Sequence, residues 1–414
     1  MKLVALNIDT IPLGQPLPFV LRGSDGALLA NRGFVIKDRT ALETLMSGGR
    51  ELCMDPKESA DSHRAYLAQL QGKLMSSNAT LGDLAATKLD SGSTVPAHAQ
   101  PPRPAPAAAS ARPDLGPPAW PELQLRATQL LRAPQAHDFS PRFEALLQEL
   151  AYRTAMSPDA TLLALIHISA VEVRMYSATH AMLTSVACMV TARETLHWSN
   201  ARIYQAGCAA LSMNLAMTEL QDQLAQQAYP LTAAQIQAID DHAERSEALL
   251  RELGVTDAVW LEAVRGHHHR QPGPLAERSE GSQIARLIQR ADVFGARIAP
   301  RATRSPMPVT AAMQNCYYDE AQKVDEAGSA LVKTLGIYPP GALVRLATGE
   351  VGVVLRRGAT ANTPRVAVVL NREGMATGEP IPRSTEAPQW KITGPVAHKD
   401  VRVSWPLAKL LALV

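Results

Sequence analysis

The chain of 414 residues exceeds the usual size of one domain and is long enough for two or three units, each with its own core. A formal charge of +2 with 19% charged residues gives no global attraction for DNA, RNA or an anionic membrane surface, so any electrostatic specificity has to be local. The four cysteines, Cys53, Cys188, Cys208 and Cys316, are scattered without a Cys-x-x-Cys pair, which suits reduced thiols better than a disulfide framework.

Residues 1–9 are too short and too soon acidic to form the apolar core of a signal peptide. The later apolar stretches 161–171 and 181–190 are short, with His167 and His180 within or beside them, so neither reads as a bilayer span. A cytoplasmic protein is expected.

Residues 1–56 predict a small α/β module. The apolar run 17–21, the turn Ser24-Asp25-Gly26 and the run 27–36 form a hairpin signal. Asp38 is placed to cap a helix through Met46, Gly48-Gly49 stops it, and a strand over 51–54 ends at Pro56. Residues 57–90 form a connector with helical spacing of Tyr66, Leu67, Leu70 and Leu74, and 91–118 is a Pro/Ala/Ser-rich linker without enough apolar surface to fold alone. From 119 to 335 the pattern is helical: Ser140-Pro141 and Ser157-Pro158 pair an N-cap with a first-turn proline, and Thr232-x-x-Gln235 has capping-box form. After Gly336 the Val- and Leu-rich runs 342–346, 351–355 and 366–370 predict a β-rich subdomain over 336–414. The expected fold is therefore mainly α, with a small N-terminal α/β module and a C-terminal β-rich subdomain.

Chemistry concentrates in the helical part. His180, His242, His267, His268 and Asp292 each lie in or beside an amphipathic helix, where they can project into a shared pocket as metal-binding bundles require. Neutral imidazole and carboxylate are the ordinary ligands of borderline divalent cations, so one divalent metal such as iron or manganese is the cofactor these residue types admit. Taken singly, each of the five reads as a hydrogen-bonded core or surface residue rather than a ligand, and the metal reading rests on the set. Between Arg265 and Arg304 stand eight arginines against Glu277, Glu280 and Asp292. Of these, Arg270, Arg286, Arg290, Arg297 and Arg301 are candidates to grip phosphate, because a guanidinium binds it bidentately; the bland reading is a solvated face.

In order, these segments resemble the HD-GYP family, bacterial helical domains that cleave cyclic di-GMP at a multi-metal centre. Tyr176-Ser177-Ala178-Thr179-His180 is similar to the family's opening Tyr-x-x-x-His, His242 begins a segment similar to the helix carrying the next ligand, and His267-His268-His269-Arg270 is similar to its His-His-Glu-Arg. Arg286-Leu287-Ile288-Gln289-Arg290-Ala291-Asp292-Val293-Phe294 is similar to the segment that carries the last ligand, Asp292 here. The resemblance runs over about residues 155–335 and implies an HD-domain-like helical bundle with cyclic di-GMP as ligand.

Departures are equally specific. Where the family has its His-Asp pair, this chain reads Ser212-Met213; the expected lysine is Ala216, and the Gly-Tyr-Pro segment has become Gln271-Pro272-Gly273-Pro274-Leu275. A thioether cannot bridge two cations as a carboxylate does. No catalytic residue is assigned, and the remaining five donors suffice for a partial, mononuclear site. The expected protein is a cyclic di-GMP signalling protein that senses the nucleotide or recruits a signalling protein partner with little or no hydrolysis. The alternatives are a divergent metal-dependent phosphodiesterase and an interaction scaffold without a nucleotide site.

Overall fold

The computed structural model describes residues 4–5, 17, 21–23, 27–30, 34–37, 52–54 and 120–414, the last stretch without 136, 271, 272, 402 and 404. The chain divides into two compact units, Met1–Arg112 and Pro113–Val414. The expected helix over 38–46, the connector helix over 57–75 and the linker over 91–118 lie outside the described residues.

Within the first unit the described strands β1 (Val4–Ala5), β2 (Leu21–Gly23), β3 (Leu28–Ala30) and β4 (Leu52–Met54) form an antiparallel sheet in the order β1-β4-β2-β3. Strands β2 and β3 pair as the predicted hairpin, closed by a Gly23 N–H to Ala27 carbonyl bond of 2.8 Å. Leu17, Leu21, Ile36 and Leu52 are buried, so one face of this sheet is apolar.

In the second unit helices dominate. Helices α1 (Trp120–Arg132), α2 (Phe139–Met156) and α3 (Pro158–Ser169) lead to α4 (Tyr176–Glu194), which is buried at every position from Tyr176 to Ala192. A helix enclosed on all sides needs no polar face, and that is why its sequence shows little amphipathic period. Its small residues admit close neighbours: α5 (Asn200–Ser212) comes near enough that a Cβ on Gly207 would lie 2.8 Å from the Met189 sulfur, and Ser185 Oγ donates to the Gly207 carbonyl at 2.9 Å.

Helices α6 (Thr218–Gln226), α7 (Ala233–Asp240), α8 (His242–Glu252), α9 (Ala258–Gly266), α10 (Glu280–Ile298), α11 (Val309–Tyr317) and α12 (Glu326–Leu335) complete the bundle. The capping box at Thr232 and Gln235 forms in both directions, and Asp257, Ser279 and Asp325 cap α9, α10 and α12 by accepting backbone N–H bonds. Ser157 stands at the N-cap before Pro158 without a side-chain cap bond. Ser140 does not cap: α2 begins one residue earlier, and the Ser140 hydroxyl reaches the Leu253 carbonyl at 3.4 Å.

The C-terminal strands β5 (Leu343–Leu346), β6 (Val351–Arg356), β7 (Arg365–Leu370), β8 (Ala376–Ser384) and β9 (Ile392–Val396) form an antiparallel sheet ordered β8-β7-β6-β5-β9. Both faces are covered. Val344, Leu346, Val354, Val366 and Val368 join the helical core, whereas Leu343, Val353, Leu355, Ala367 and Val369 pack with Trp405 and Leu410, the latter on the short helix α13 (Leu407–Leu411). Burial on two faces explains the unbroken apolar runs. The sheet shares the helical core and lies in one compact unit with it. Arg357, just past β6, ties it to the helices by pairing with Asp159 and Glu194 and donating to the Thr334 carbonyl at 2.8 Å. Among the described residues no helix is long and apolar enough to cross a membrane.

Candidate metal centre

Helix α9 ends at Gly266, so the chain turns and presents His267 and His268 toward the first residue of α8, His242. His242 Nε2 lies 3.1 Å from His267 Nε2 and 3.2 Å from His268 Nε2, and the three donor atoms lie within 4.8 Å of one another. His269 is exposed and is not part of this group.

Backbone geometry sets the tautomers. His242 Nδ1 faces the Ile239 carbonyl and His267 Nδ1 faces the Val264 carbonyl at 2.6 Å; a carbonyl only accepts, so both Nδ1 atoms carry the proton. Their Nε2 atoms are then bare lone pairs 3.1 Å apart, an arrangement that is repulsive unless a cation lies between them. A second proton is disfavoured: burial, together with the neighbouring imidazoles, pushes His267 down to about 3, and burial lowers His242 as well. Imidazoles whose Nδ1–H groups are held by carbonyls are the usual form of metal-ligating histidine. Nitrogens bound at about 2.0–2.1 Å to one cation lie roughly 3.0–3.4 Å apart, so the observed spacing fits a divalent metal.

The other two predicted ligands form a separate pair. His180 Nε2 lies 2.7 Å from Asp292 Oδ1, with the His180 ring buried and the Asp292 side chain 21% exposed. The carboxylate accepts, so His180 carries its proton on Nε2, and the buried Nδ1 has no partner among the described residues and lies against Gly295, where a Cβ would sit 2.9 Å away. Burial alone would raise the Asp292 carboxyl, but the bond from His180 and the nearby imidazoles outweigh it and hold it well below the usual carboxylate range. Tyr176 stacks on His180, with ring centroids 5.5 Å apart, and Arg301 donates to the Tyr176 hydroxyl at 2.7 Å while lying over its ring.

At the end of α5, Ser212 and Met213 are fully buried. The Ser212 hydroxyl donates to the Cys208 carbonyl at 2.8 Å and accepts the Trp260 indole N–H at 2.9 Å, and Trp260 stacks on Phe143. Both partners of the hydroxyl come from the packed interior. Next to it, Ala216 N–H donates to Ser246 Oγ at 3.0 Å.

The arginines divide into two groups. Arg286 and Arg290 are buried and pair with Glu320, and Arg286 also with Asp325, so carboxylates from outside the 265–304 segment offset much of its apparent charge. Arg297, Arg301 and Arg304 make no ion pair among the described residues, and burial together with the charges of Arg301 and Arg297 lowers the Arg304 guanidinium. Arg270 is exposed at the rim of a 310 Å³ cavity. Trp260, Gly295 and Glu320 were not singled out in the sequence; only Gly295, between Phe294 and Ala296 on the Asp292 helix, left a local sign as a small residue in a buried stripe.

The second unit is thus mainly helical, with three imidazoles converging in one group and His180 paired with Asp292 in another. A protein named cyclic di-GMP phosphodiesterase from Pseudomonas aeruginosa is 26% identical to this chain over 243 residues, covering 58% of this chain and 57% of the relative. The chain thus matches little more than half the length of that relative. Among solved structures, an HDG"Y"P protein from Bdellovibrio bacteriovorus matches with a TM-score of 0.42 at 13% identity, over 80% of this chain and 98% of that one. No protein-family model matches the chain.

Proposed function

We propose that the chain is a cyclic di-GMP signalling protein whose HD-GYP-like domain holds one divalent metal on His242, His267 and His268, and that it senses the nucleotide or recruits a partner with little or no hydrolysis. The observation that carries this reading is a contrast between two positions: three Nε2 atoms converge in the histidine group, those of His242 and His267 as bare lone pairs, while the Ser212 hydroxyl is consumed by Trp260 and the Cys208 carbonyl. A bound divalent cation would polarise a phosphate oxygen and acidify a water. Hydrolysis through two cations further needs a bridging anionic ligand, and Met213 supplies only a neutral, buried thioether.

In this reading His180 acts on Asp292 rather than on the metal, since its Nε2 proton is committed to the carboxylate. Arg297 and Arg301, with Arg304 beside them, and the exposed Arg270 are candidates to meet a phosphodiester, because Arg286 and Arg290 are already matched. A divergent phosphodiesterase is the second reading, supported by the similarity to a protein of that name. Elemental analysis of the purified full chain, calorimetric titration with cyclic di-GMP and a turnover assay with added Mn²⁺ or Fe²⁺ separate them. About one metal per chain, heat of binding and no linear product are expected. Metal-dependent turnover abolished by His268→Ala replaces the first reading with the second, and absence of both metal and binding leaves an interaction scaffold.

A further inference from the structure

Arg286 and Arg290 stand one turn apart on α10, and a single carboxylate straddles them. Glu320 Oε1 accepts from Arg290 Nη2 and from Arg286 Nη1 at 3.3 Å, and Glu320 Oε2 accepts from Arg286 Nη2 at 3.2 Å. Three guanidinium N–H donors thus converge on one anion, the arrangement with which arginines hold phosphate. The two carboxylates around these arginines are anchored differently. Asp325 is 8% exposed, accepts from Arg286 Nε at 2.7 Å and also caps α12 through the Gly328 N–H, so its place is set by the helix. Glu320 is 30% exposed and stands in the short turn between Tyr318 and Val324, where Gln322 has φ 60°, a conformation that costs a non-glycine residue energy.

Space opens on both sides of that carboxylate. A cavity of 310 Å³ is lined by Arg270, Arg278, Arg286 and Glu320, and another of 680 Å³ by Arg290, Asn315, Tyr318 and Glu320. If Glu320 swings out, Asp325 alone balances two guanidiniums, which leaves an uncompensated positive charge at the junction of two cavities. We propose that Arg286 and Arg290 form a second anion site, for a phosphate-bearing ligand, which Glu320 occupies as an internal substitute that the ligand displaces. Neither cavity is lined by His242, His267 or His268, and the anion site does not rest on the function proposed for the histidine centre.

The test uses the full chain stripped of metal with a chelator, and inorganic phosphate as the probe at fixed ionic strength, read by calorimetry or ³¹P line broadening. Glu320→Gln should bind phosphate about 5- to 10-fold more tightly than the unmodified chain, the effect of removing one partly exposed competing carboxylate. Adding Arg290→Gln to that variant should abolish the gain, which separates this site from the cluster at Arg297, Arg301 and Arg304. Glu320→Asp, whose shorter side chain grips less well, should show an intermediate gain and serves if the glutamine variant does not fold. An unchanged affinity in a folded Glu320 variant, or a gain that survives loss of Arg290, overturns the proposal.

Discussion

Replacing His242 with alanine tests the histidine centre through opposite demands on the apo and metal-loaded protein. Without metal, the substitution leaves the Ile239 carbonyl without the Nδ1–H that faces it and removes a buried ring, but it also relieves the contact between two bare Nε2 atoms at 3.1 Å. The net cost should be modest, about 1–2 kcal/mol. With metal at roughly 100 times its dissociation constant, binding stabilises the unmodified protein by about 2.7 kcal/mol. For a unit of this size that corresponds to a rise in melting temperature of about 4 °C. The variant keeps two of the three convergent imidazoles and should lose nearly all of that rise. Scanning calorimetry of both proteins in chelator and in excess Mn²⁺, Fe²⁺ or Zn²⁺ measures all four states. A metal-induced rise in His242→Ala equal to that of the unmodified chain, or no rise in either protein, refutes the assignment.

Three further outcomes follow from other parts of the second unit. Gly295→Ala would bring a Cβ to 2.9 Å from His180 Nδ1, and it should destabilise the unit by about 1–3 kcal/mol in chemical denaturation while perturbing the His180 ring signals in NMR. Arg357→Met strands Asp159 and Glu194, and a loss of about 2–3 kcal/mol is expected, with increased hydrogen exchange in β6; unchanged exchange would show that the clamp contributes nothing. Burial, with a smaller contribution from His167, pushes His398 down to about 4, so the folded state prefers the neutral ring. That preference is fully expressed above about pH 6.5 and is lost as the pH falls toward 4, removing about 1–2 kcal/mol after allowance for the partial exposure of the ring. His398→Gln should flatten the stability profile between those limits.

Local patterns made much of the secondary structure legible. The capping box at Thr232, the N-terminal hairpin and the Val-rich strands β5 to β7 each depend on neighbours only a few residues away. Strands β8 and β9 were missed because they are edge strands with exposed positions and internal prolines, so they carry little of the alternation that marks a half-buried strand. The arginine count over 265–304 suggested an open cationic face. Folding brings Glu320 and Asp325, 30 or more residues beyond Arg290 and Arg286, onto two of those arginines, and a contiguous window cannot register that cancellation.

The amino-acid order was sufficient to mark His180, His242, His267, His268 and Asp292 as potential ligands and Ser212-Met213 as a departure from the family they resemble, because residue identity limits which atoms can donate to a metal. How those five divide, three imidazoles facing one another and a separate His180–Asp292 pair, was decided by the packing of α4, α8, α9 and α10. So was the engagement of Ser212 by an indole 48 residues away. Ligand chemistry is a property of single side chains, whereas lone-pair direction, tautomer and competition for a hydroxyl depend on neighbours that only the folded chain brings within about 3 Å.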